Sequence, residues 1–142
     1  MRRVFLADWG IIRRITRESE PLSNSHLESH LDSAVLAALQ DVMEDEYPVL
    51  LDTFLADSEE RLLVLRHAEQ AADAQNLRLS AHSFKGSCSN MGALMLAGLC
   101  KQLEEVGRLE QLELAPDLVE QIEREFAIVR ILLKSERQRY RH

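Results

Sequence analysis

Residues 81–93 read Ala-His-Ser-Phe-Lys-Gly-Ser-Cys-Ser-Asn-Met-Gly-Ala, which sets His82, Lys85, Gly86 and Gly92 at short fixed offsets. Neutral imidazole is a good nucleophile near neutral pH, because an ordinary histidine pKa of about 6.5 leaves a ring nitrogen with a free lone pair. Such a ring can accept a phosphoryl group on one nitrogen while the other stays a hydrogen-bond donor. Lys85, one helical turn on, supplies a compact charge suited to phosphoryl oxygens. Gly86 leaves the approach to the ring clear of a side chain. A surface histidine near an incidental lysine is ordinarily just solvated; the joint offsets of His, Lys and two Gly favour the chemical reading.

The elements that position these residues are helical. At about 100° per residue, Leu77, Ala81, Phe84, Cys88 and Met91 fall on one apolar arc and His82 lies outside it. Arg78, Lys85, Gly86 and Ser89 share the histidine's side. The helix starts near Asp73 to Asn76 and ends around Asn90 to Gly92, where a glycine can take a left-handed conformation. Before it, a short helix begins near Asp32, a carboxylate able to cap it, and carries Val35, Leu36, Leu39, Val42 and Met43. A long helix follows from Pro48, with Leu51, Phe54, Leu55, Ser58, Leu62, Leu65, Ala68 and Ala72 in one stripe. After the histidine helix, another runs from Ala93 to about Leu109 with Leu96, Leu99, Cys100, Leu103 and Val106 inward. Pro116 opens the last, with Leu118, Ile122, Phe126, Val129 and Leu133 inward. Short connections favour antiparallel neighbours, so the expected fold is all-α: an antiparallel up-down four-helix bundle with an additional short N-terminal helix.

Composition agrees. The 142 residues suit one domain, with 46% apolar and 29% charged residues, five Gly, three Pro and 5% aromatics, a helix-forming mixture. A net charge of −7 argues against a nucleic-acid binder, which needs surplus Lys and Arg to displace counterions. Residues 1–20 stand apart: Arg2, Arg3, Arg13, Arg14 and Arg17 outweigh Asp8, Glu18 and Glu20, and the following Pro21 to Ser25 reads as a linker. Residues 1–25 are therefore set aside as an extension or leader, with Trp9, Ile11 and Ile12 open to an amphipathic role, and residues 26–142 as the helical domain. No apolar run reaches membrane-spanning length. Cys88 and Cys100 lack CxxC spacing and fall on apolar faces, as buried free thiols would in a reducing, cytoplasmic setting.

The string AHSFKGSCSNMGA, with Leu96, Leu99, Cys100, Leu103 and Glu104 on the next helix, resembles the signature of histidine-containing phosphotransfer (HPt) domains of multistep two-component phosphorelays. That pattern places Lys three residues after the His, Gly four after and Gly ten after; Lys85, Gly86 and Gly92 meet it. Phe84 departs from the family's usual Leu, on the buried arc. The resemblance spans residues from about 30 to 135. It implies a phosphoryl carrier with no ATP site, not an enzyme in its own right, in which His82 takes a phosphoryl group from one receiver-domain aspartate and passes it to another. The implied partners are the receiver domains of a hybrid sensor kinase and of a response regulator. No cofactor of its own is implied; magnesium is expected in the receiver. Glu104 is a candidate to accept a hydrogen bond from the second ring nitrogen, with an ordinary exposed glutamate as the alternative and Gln102 as a weaker candidate. Docking is expected on the histidine helix and the one before it, with Leu79, Leu55 and Leu63, and Arg78 and Ser89, as candidate contacts.

Other features carry less. His26 and His30, four apart, are two ligands at most and lack the Glu placement of a metalloprotease helix. His67 has no Lys-Gly companion and reads as surface. The competing reading of the whole chain is a helical adaptor that binds receivers or a kinase without carrying phosphate.

Overall fold

The computed structural model of the chain describes residues 29–140. The expected extension at residues 1–25 and His26 lie outside these. Local sequence sets the helix starts. Asp32 accepts hydrogen bonds from the backbone N–H groups of Ala34 and Val35 and so caps α1, Ser33–Met43. A 3-10 turn over Glu44–Glu46 leads into α2, Tyr47–Gln70, with Pro48 in its first turn, where the missing N–H has no partner to lose. Asp73 accepts from the Asn76 N–H and caps α3, Ala74–Asn90. The next helix, α4, spans Leu94–Arg108, and after a 3-10 turn at Leu112–Leu114 the last, α5, spans Ala115–Arg137 with Pro116 in its first turn.

The four long helices pack in sequence, α2 on α3, α3 on α4 and α4 on α5, and α5 closes the ring against α2. This is the expected up-down bundle, with α1 as the additional short helix. Leu51, Leu65, Leu77, Phe84, Leu96, Leu103, Ile122 and Leu133 are completely buried in its centre, each side chain stabilising the fold by about 1.5–3 kcal/mol. No helix among the described residues is long and apolar enough to cross a membrane.

Two positions depart from the expected stripes. Val42 is 80% exposed, because α1 faces the core through Leu36 and Gln40, with Ala37, Leu39 and Met43 partly buried beside them, and Val42 falls outside that face. Ala72 is exposed and left-handed, φ 54°, since α2 stops at Gln70 and the chain must reverse within Ala71–Asp73. Cys88 and Cys100 are free and buried; a hydrogen bond between them, and then burial, push the Cys88 thiol up.

Two buried carboxylates of α5 make contacts distant in sequence, one to the start of α2 and one to the segment ahead of α1. Tyr47 at the start of α2 donates its hydroxyl to Glu136 Oε2 near the end of α5, at 2.9 Å. Burial first, and then the charge of Glu136, hold the Tyr47 phenol far above its ordinary pKa. His30 Nδ1 lies 2.6 Å from Glu125 Oε2, so the segment ahead of α1 is pinned to the middle of α5. His30 is thus a buried structural histidine.

The backbones of α3 and α4 approach closely at Gly107. A Cβ built on Gly107 would sit 2.8 Å from both the Ala74 carbonyl oxygen and the Arg78 nitrogen, so only glycine fits this crossing. A Cβ on Gly86 would meet nothing within 4 Å. Gly107 and Gly86 therefore predict opposite outcomes in urea unfolding. Gly107→Ala should destabilise the bundle by about 1–3 kcal/mol through overpacking. Gly86→Ala should stabilise it by about 0.5–1 kcal/mol by stiffening the unfolded chain.

Candidate functional site

The site is built on the α3–α4 hairpin. Gly92 takes φ 76°, and its carbonyl accepts from the Asp32 N–H at 2.9 Å, so the turn at residues 91–93 reverses the chain and anchors it to the start of α1. A Cβ at Gly92 would also run into Val35 at 2.9 Å. With the turn fixed in length, α4 returns beside α3 in a register that sets Glu104 opposite His82 and Lys85.

The Glu104 carboxylate serves both. His82 Nδ1 lies 2.8 Å from its Oε2, and Lys85 Nζ donates to its Oε1 at 2.7 Å. The hydrogen bond from Lys85 first, and that from His82 next, hold the Glu104 carboxyl below the usual glutamate range against an opposing effect of burial. An ionised carboxylate can only accept, so Nδ1 carries the proton and the neutral ring's lone pair sits on Nε2. The His82 side chain is 66% exposed. The ring is thus largely open to solvent while its Nδ1 edge is held.

The remaining candidates separate by position. Gly86, Ser89 and Leu79 are exposed on α3 with His82, Leu79 at 51%, and Arg78 is half-buried on the same helix. Leu79 lines a shallow groove between α2 and α3 with Arg61, Val64, Ser80 and Ser83. Leu55 is only 8% exposed and belongs to the core, as its place in the apolar stripe of α2 dictates, so it is not a docking residue. Leu63 is 62% exposed but lies on another side of α2. It shares a stripe with Glu59 and Arg66, which pair with Arg130 and Glu123 of α5. The exposed apolar residue of α2 beside α3 is instead Val64. Val64 lies one turn from Arg61, but one sequence does not say which neighbour each side of α2 faces.

The Hpt domain family matches residues 49–131, a stretch that contains α3, α4 and nearly all of α2. This chain belongs to the Hpt domain family. The crystal structure of histidine-containing phosphotransfer protein B (HptB) from Pseudomonas aeruginosa PAO1 is similar at 70% sequence identity and a TM-score of 0.78. The match covers 79% of this chain and 97% of that one. A search of the curated proteins found no match. The His82, Lys85 and Gly86 spacing that carries the sequence resemblance lies within the matched stretch, on α3.

The lowered Glu104 pKa has a defined sign in stability. A carboxyl whose folded pKa is depressed contributes stability that is complete above the unfolded value and lost as the pH falls through the folded one. The free-energy advantage of the natural protein over Glu104→Gln should thus be full at pH 7, hold to about pH 4.5, and shrink below it. Denaturant melts of both proteins between pH 3 and 7 check this, and a constant difference across the range would contradict it.

Proposed function

We propose that this protein is a cytoplasmic phosphorelay intermediate that accepts a phosphoryl group from a receiver-domain aspartate on Nε2 of His82 and passes it to a second receiver. The observation that carries the reading is the Glu104 clamp, which fixes the proton on Nδ1 and leaves Nε2 open at 66% side-chain exposure. In transfer to His82, the Nε2 lone pair attacks phosphorus, an N–P bond forms, the aspartyl P–O bond breaks and the aspartate departs as a carboxylate. Nε2 has no proton to lose. The ring gains positive charge while Nδ1 keeps its proton, and the Glu104 carboxylate 2.8 Å away offsets that charge. The reverse sequence delivers the group to the next aspartate.

The groups that activate the aspartyl phosphate, a magnesium ion among them, are assigned to the receiver. The carrier needs an open face and a held ring. Gly86 supports the first, because none of the described residues comes near enough to demand its missing side chain. The groove with Val64 and Leu79 supplies apolar surface beside the histidine, and Arg78 and Ser89 flank it. Lys85 spends one donor on Glu104 and keeps two for phosphoryl oxygens.

Incubation with a phosphorylated receiver domain tests the reading. Label should move to the natural protein as an acid-labile, base-stable phosphate and should be absent from His82→Gln. Lys85→Ala should slow transfer, and Gly86→Leu should weaken receiver binding by placing a side chain over the approach. Receiver binding with no histidine phosphate on the natural protein would leave the adaptor reading in its place.

A further inference from the structure

We infer that Arg61, on α2, is a second phosphoryl-contacting residue, whose guanidinium moves from Ser83 to the phosphoryl group when His82 is phosphorylated. The inference rests on the phosphoryl-carrier reading and adds a residue that the His, Lys and Gly offsets do not contain.

Charge around the ring is unevenly committed. On the α4 side, one carboxylate answers both the imidazole and Lys85. On the α2 side, Arg61 donates from one Nη to Ser83 Oγ at 2.5 Å, and Ser83 is the residue next to His82. Among the described residues Arg61 has no carboxylate partner, so a full positive charge rests on a neutral hydroxyl. It does so at the rim of the open groove formed with Val64, Leu79 and Ser80. A guanidinium carries five N–H donors in a planar fork, and one is used here. Arg–phosphate contacts are commonly bidentate and stronger than those to a neutral acceptor. A dianionic group appearing on Nε2 would draw the fork from a hydroxyl that holds it only weakly, whereas Lys85 is already paired. Arg78 also lacks a carboxylate partner among the described residues, but no hydrogen bond directs it toward the ring.

The test is a 31P NMR pH titration of the intact protein phosphorylated with phosphoramidate, which needs no receiver. An adjacent cation favours the dianionic phosphoryl group, so Arg61→Ala should raise the pKa of that group by about half a pH unit. Arg61→Lys should restore part of the shift, and Arg78→Ala should leave the titration near that of the natural protein. Circular dichroism of each variant confirms that the helices persist, and loss of a purely structural contact would not move the phosphoryl titration. A titration of Arg61→Ala that superimposes on the natural protein's, with the histidine phosphate signal present, overturns this inference alone. Absence of a histidine phosphate signal on the natural protein overturns the carrier reading and this inference with it.

Discussion

One carboxylate, that of Glu104, sets the protonation pattern of the whole site. Imidazole has two nitrogens of similar basicity, and on an exposed helix face neither would be favoured as the nucleophile. Because Glu104 can only accept, contact with Nδ1 selects a single tautomer. Lys85, bonded to the second oxygen, keeps that carboxylate ionised and oriented. Three side chains thus form one unit in which the cation acts first on the carboxylate and only through it on the histidine.

This arrangement requires α4 to lie at a definite height and distance from α3. Distance is governed by Gly107, where the two backbones approach too closely for any side chain. Height is governed by the turn at residues 91–93, in which left-handed Gly92 is bonded to Asp32 and packed on Val35. A substitution at either glycine changes where Glu104 stands relative to His82 without touching the site. The rest of the bundle holds the hairpin from behind: α2 and α5 close on it, the Tyr47–Glu136 contact joins the start of α2 to the end of α5, and His30–Glu125 pins the segment ahead of α1 to the middle of α5. Charge is cheap on this surface and costly in the interior, so both buried carboxylates carry a partner.

Much of this was legible in the sequence because the bundle obeys helical periodicity. The caps at Asp32 and Asp73, Pro48 and Pro116 in first turns, and the inward set of α5 from Leu118 to Leu133 follow from local chemistry alone. The exposure of His82 followed from the arc of α3. What local periodicity cannot supply is which helix lies beside which face. Leu63 and Val64 are adjacent and both exposed, yet one borders the ion pairs to α5 and the other the groove beside α3. Leu55 was ambiguous for the same reason, since the edge of an apolar stripe serves core or docking surface depending on its neighbours. Glu125 and Glu136 look like ordinary helix glutamates, and their burial depends on His30 and Tyr47, residues 95 and 89 positions away. Gly107 gave no sign either, because glycine within a helix only weakens it until another backbone is known to pass there.

The contrast between Gly86 and Gly107 separates what the fold needs from what a partner would need. Helical glycine costs about 1 kcal/mol relative to alanine wherever it occurs. At Gly107 the close crossing offsets that cost, because α3 and α4 could not otherwise meet. At Gly86 no contact with the described residues does, and the position lies one turn from the exposed imidazole of His82. An unrelieved local cost beside an exposed, oriented ring is what a surface shaped for another molecule would show. The same asymmetry appears in the charges: Lys85 is held by Glu104, while among the described residues Arg61 is held by a hydroxyl and no carboxylate. Both the missing side chain and the weakly held cation flank the face on which Nε2 is open, so the site is complete on its α4 side and incomplete on the side that faces solvent.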